Sequence, residues 1–88
     1  MEDRIIMFTE EEAIDYKTGA KKDKSSVIAN IRRQRQNNQI LSYEIKELVR
    51  TIQFTIQYKN KTIEKIEIPK NDYYRIVLKT ILTTKEKT

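Results

Sequence analysis

Thr51-Ile52-Gln53-Phe54-Thr55-Ile56-Gln57-Tyr58 alternates polar and apolar residues without a fault. A period of two lets an extended strand bury one face and wet the other. The segment therefore predicts a half-buried strand, with Ile52, Phe54, Ile56 and Tyr58 facing a core and Thr and Gln facing water. Lys59-Asn60-Lys61 supplies a short turn, with Asn60 best suited to a left-handed backbone. Thr62 to Ile68 returns as a second strand, Ile66 and Ile68 on one face and Ile63 on the other, and Pro69 ends it. A two-stranded sheet is only marginally stable alone, so the rest of the chain must cover this one.

Beyond Pro69 the period lengthens. Tyr74, Val77, Leu78, Ile81 and Leu82 recur at helical spacing and predict an amphipathic helix from about 71 to 83, capped by Asn71 or Asp72. Upstream, Val27, Ile31, Leu41, Ile45 and Leu48 keep a heptad spacing if Gln34 and Asn38 hold the two middle places. That predicts one long central helix over 25–49 with a seam for a partner helix. The alternative is a break near Asn37-Asn38, with a different element from Ile40 onward.

The N-terminal stretch carries helix-start chemistry. Thr9 and Glu12 form a capping box, Phe8 and Ala13 stand at the staple positions, and Gly19 suits the residue after a helix end. A short helix over 10–18 is predicted, in which Glu11, Glu12 and Asp15 read as a favourably charged first turn rather than a cation site. Ile5-Ile6-Met7-Phe8 reads as an edge strand or a docking peptide, and the ends, residues 1–8 and 84–88, as flexible. No internal repeat is evident. The expectation is one α+β domain over residues 1–88: a short N-terminal helix, a longer central helix, an antiparallel β-hairpin and a C-terminal amphipathic helix. The hairpin's open edges can be closed by the Ile5–Phe8 run, by a second copy or by a partner's strand, and with the heptad seam they favour a homodimer.

Composition narrows the chemistry. The 88 residues include no Cys and no His, so disulfides, zinc sites of nitrogen and sulfur ligands, thiolate nucleophiles and the commonest general base are all excluded. The single glycine, Gly19, cannot build a phosphate-cradling loop, and Thr18 to Ser26 lacks the Gly-Lys-Ser/Thr ending of one. The chain is expected not to be an enzyme and to carry no cofactor or metal. Stability must come from aliphatic packing, for which fourteen Ile are the main supply.

Charge is sorted along the chain. Residues 1–16 carry six acids against Arg4, and residues 17–38 carry seven bases against Asp23. A concentrated basic stretch is the footprint of a protein that meets polyanions. The candidate contact residues are Lys21, Lys22 and Lys24 in a lysine-rich connector, followed by Arg32, Arg33, Arg35 and Gln36 on a helix. Arg and Gln carry planar donors suited to phosphates and base edges, and a backbone-contacting arm leads into a reading helix. Of the tyrosines at 58, 73 and 74, Tyr58 and Tyr74 belong to apolar faces, leaving Tyr73 as the exposed one of the three. The function this favours is a small nucleic-acid-binding or regulatory protein, contacting DNA or RNA. The competing reading is a protein-binding inhibitor or adaptor that occupies a partner's surface, for which the charge polarity would steer docking. No apolar run approaches the ~20 residues that span a bilayer, and the acidic start lacks a secretory pattern, so a cytoplasmic place with no membrane partner is expected.

Overall fold

The computed structural model describes residues 3–84. It consists of β1 (Asp3–Phe8), β2 (Ala13–Asp15), β3 (Lys21–Lys22), α1 (Lys24–Gln36), β4 (Ile40–Glu47), β5 (Thr51–Tyr58), β6 (Ile63–Pro69) and α2 (Tyr74–Thr83). The strands form one mixed six-stranded sheet in the order β3-β2-β1-β6-β5-β4. Every neighbouring pair is antiparallel except β1 with β6, which run parallel.

This corrects the expected architecture in three places. The short N-terminal helix over 10–18 is absent. Residues 9–12 instead turn the chain from β1 into β2, and Phe8 and Ala13 close that hairpin as a cross-strand pair. The capping-box bond itself is made: the Glu12 N–H donates to Thr9 Oγ1 at 3.1 Å, as an N-cap would require. The Thr9 N–H then donates to the Glu12 carbonyl at 2.7 Å, which closes a turn rather than opening a helix. A nine-residue helix is too short to hold itself, whereas two strands bury Phe8, Ala13 and Asp15 against the core. Gly19 does take a left-handed backbone (φ 72°), but in the loop that joins β2 to β3.

The long central helix is the second correction. It stops at Gln36. Asn38 is left-handed (φ 58°), the Gln39 N–H donates to the Gln34 carbonyl at 2.9 Å, and the Asn38 N–H donates to the Arg35 carbonyl at 3.1 Å. Those two bonds are the Schellman closure of a helix end, with Asn in the place glycine usually holds. Residues 40–47 then form β4, so Leu41, Ile45 and Leu48 belong to no helical seam. The third correction concerns the hairpin. Its strands, β5 and β6, lie inside the sheet, flanked by β4 on one side and by β1 on the other. Ile5–Phe8 closes one side of the hairpin, one of the expected solutions, as part of β1 beside β6; Asp3 and Arg4 of the end expected to be loose belong to the same strand, and residues 1–2 and 85–88 lie outside the described residues.

The register sorts the two sheet faces. Ile6, Ile66, Phe54 and Ile45 stand side by side in one row across β1, β6, β5 and β4. Phe8, Ala13, Ile68, Ile56 and Tyr58 share their face, and Val27, Ile28 and Ile31 of α1 with Leu78 and Leu82 of α2 pack onto it as one core. The opposite face, with Ile5, Met7, Gln53, Thr55 and Lys65, carries no helix of the described residues. Both helices run the same way: Lys24 and Asp72 pair at their starts, and Arg35 reaches the Thr84 carbonyl at their ends. Three strands and a helix thus occur twice in succession, a duplication of topology that the sequence does not display. No helix of the described residues is long and apolar enough to cross a membrane.

Candidate nucleic-acid interface

The seven candidate contact residues separate into two groups. Lys24 and Arg35 are structural. Lys24 Nζ donates to Asp72 Oδ2 at 2.7 Å and to the Glu10 carbonyl at 2.9 Å, and it lies 6.0 Å from the centre of the Phe8 ring. Its side chain is only 12% exposed and that of Asp72 only 9%, so this ammonium is committed to an internal pair. Arg35 lies half-buried between the helix ends, where Nη2 donates to the Thr84 carbonyl at 3.0 Å, a favourable place for a cation at a helix C-terminus.

Lys21 and Lys22 form the short edge strand β3, on opposite sheet faces. Lys21 is exposed and lies 3.6 Å from Glu12, an ion pair of little energetic weight. Arg32, Arg33 and Gln36 point away from the core on α1, whose inward face is Val27, Ile28 and Ile31. Neither Arg32 nor Arg33 has a charged or hydrogen-bonded partner among the described residues. Ser25, Ser26 and Ala29, all small, continue the same exposed face towards the helix start.

The helix layer as a whole has one sign. α1 and α2 carry Lys24, Arg32, Arg33, Arg35, Arg75 and Lys79 and not one acid. Among the described residues, acids are confined to the strands and their connections. Lys79, exposed on α2, was not among the sequence candidates. Its signal was the absence of acids from both helices, a property that becomes meaningful only once the two lie side by side.

A second polar feature lies where α1 meets the starts of β1 and β6. Arg4, Asn30 and Glu64 line a cleft of about 270 Å³ with Lys22, Ser26 and Val27. Glu64 is 3% exposed, yet its carboxylate is satisfied: the Tyr58 hydroxyl donates to Oε1 at 2.6 Å, and Arg4 lies 4.0 Å from Oε2. Burial, and then the Glu64 charge, push the Tyr58 phenol well above its usual range. The hydrogen bond and the ion pair tie α1's neighbours β1, β5 and β6 together through Arg4, Tyr58 and Glu64.

No family model, curated protein or solved structure matches the chain. The assignment of function therefore rests on the residues themselves. Tyr73 is 71% exposed at the start of α2 and offers an aromatic edge to the same helix layer, whereas Tyr58 and Tyr74 pack with the core.

Proposed function

We propose that the protein is a small, non-enzymatic nucleic-acid-binding or regulatory protein of the cytoplasm that meets its ligand with the helix layer. The observation that carries this reading is that two parallel helices present Arg32, Arg33 and Lys79 with no acid on either helix. Cations held on a rigid scaffold at helical spacing neutralise phosphates and release counterions, which supplies most non-specific affinity for nucleic acid. Gln36, one turn beyond Arg32, adds a neutral donor and acceptor suited to base or sugar groups. Lys24 and Arg35 leave the contact set; Lys22 flanks it.

Anisotropy titrations of the protein into duplex DNA, single-stranded DNA and RNA, each at two salt concentrations, test the proposal. The affinity should fall steeply with salt, and Arg32→Ala with Arg33→Ala should flatten the logarithmic slope on duplex DNA by about two units. Binding that is undetectable on all three ligands at ~50 mM salt would overturn the reading in favour of a protein-directed inhibitor or adaptor.

A further inference from the structure

The sheet has two free edges of very different kinds. β3 is two residues long, whereas β4 runs for eight residues from Ile40 to Glu47 without proline or glycine. An exposed strand of that length invites pairing unless it is blocked. β4 has a bulge at Leu41 near its start, and beyond it the register with β5 is unbroken from Ser42 to Glu47.

Backbone bonding fixes which groups of β4 face outward. The Leu48 N–H donates to the Thr51 carbonyl, and the Tyr58 N–H on the far side of β5 donates to the Thr62 carbonyl. In an antiparallel ladder bonded and non-bonded pairs alternate. Ser42, Glu44 and Lys46 therefore bond to β5, and Tyr43, Ile45 and Glu47 direct their N–H and C=O groups to the free edge. The side chains there are partly apolar: Tyr43 is 41% exposed, Leu41 59% and Val49, in the following turn, 90%.

From this geometry we infer that β4 is a self-pairing edge, which joins two copies of the chain antiparallel about a twofold axis through Ile45. The occupant is specified by charge. With Ile45 opposite the Ile45 of the second copy, Glu44 stands opposite Lys46 and Lys46 opposite Glu44. These are the non-bonded pairs with respect to the new interface, where Cα atoms approach to ~4.5 Å and side chains interact most closely. Moving the axis by one residue, a slide of two residues in either direction, sets Glu44 against Glu44 or Lys46 against Lys46 on the axis itself. Of these three registers, only the one centred on Ile45 brings opposite charges together. It also directs the outward groups of Tyr43, Ile45 and Glu47 into about six new main-chain hydrogen bonds. Val49 of each copy approaches Leu41 of the other.

A twofold axis perpendicular to the sheet keeps both helix layers on one side of a continuous sheet. The two sets of Arg32 and Arg33 then face the same way, although the dimer itself does not depend on any ligand.

Sedimentation equilibrium of the full chain at 5–200 μM, a range set by the micromolar affinity ordinary for so small an interface, tests the inference. The wild type should show a monomer–dimer equilibrium. Glu44→Lys and Lys46→Glu should each raise the dimer dissociation constant by about tenfold to a hundredfold, because each converts both cross-axis pairs to like charges. The two single variants mixed together should form a heterodimer, and the double variant, with the charges exchanged, should recover the wild-type constant. Far-UV circular dichroism unchanged in all three variants separates dissociation from unfolding. A wild type that stays monomeric at 200 μM would overturn the inference, as would a dimer indifferent to both charge reversals.

Discussion

Single residues carry the departures from ordinary backbone and ordinary titration. Asn38 and Lys61 are the non-glycine residues with positive φ among those described, at 58° and 74°. Asparagine tolerates that conformation through its short polar side chain, and lysine does not. Asn60, the residue the sequence nominates for the left-handed position, instead accepts the Thr62 N–H on its side-chain oxygen at 3.0 Å, and the strain falls one residue later. Lys61→Gly should therefore stabilise by a few tenths to about 1 kcal/mol, while Asn38→Leu should destabilise by about 1 kcal/mol. Urea titrations of the two variants decide it; a stabilising Asn38→Leu would mean that Asn38 lies in a helical seam after all. Tyr58 carries a pH signature. Its folded phenol titrates above the ordinary value near 10, so the unfolded chain loses that proton first and stability falls as pH climbs past about 10. Tyr58→Phe should abolish that part of the alkaline loss. At neutral pH it should cost about 1.5–3 kcal/mol, because Glu64 loses its donor. An unchanged alkaline slope in the variant would assign the loss to other groups.

At the scale of elements, local pattern and tertiary demand part company in the N-terminal half. The alternation from Thr51 to Tyr58 corresponds to β5 residue for residue, and the helical spacing after Pro69 corresponds to α2, because each of these periods has a single way to bury its apolar face. Thr9–Glu12 is different: a Thr oxygen accepting an N–H three residues on fits a helix start and a hairpin turn equally, and only the presence of β6 beside β1 decides. The spacing of Val27, Ile31, Leu41, Ile45 and Leu48 is coincidental, since the gap at Gln34 and Asn38 contains a helix end. Among the candidate contacts, Lys24 illustrates a limit of sequence reading. Its partner, Asp72, is 48 residues away, and nothing local distinguishes it from Lys22. Removing one member of a nearly buried pair leaves the other charge uncompensated, so Lys24→Ala should cost about 3 kcal/mol. Lys22→Ala, at an exposed edge, should cost under about 0.5 kcal/mol. Equal thermal shifts in the two variants would contradict the structural role given to Lys24.

Over the whole molecule, the two faces of the sheet divide the work. One face is buried by two helices whose charged residues are all bases. The other is bare, with Thr, Gln and charges of both signs around Ile5 and Met7. The charge sorting visible along the chain becomes a sorting in space, though not by the route the sequence suggests: the acidic limb forms a hairpin turn, and Lys79, from the far end of the chain, adds a base on the second helix, on the side of Glu47. Nucleic acid is proposed to meet the helix layer and not the open sheet face. Amide chemical-shift mapping during titration with a short DNA duplex tests this most directly. The account predicts that shifts concentrate on Ser25–Gln36 and around Lys79, leaving Gln53, Thr55 and Lys65 unmoved. Shifts centred on the open face, or none at a concentration where salt-dependent binding is measured, would contradict it.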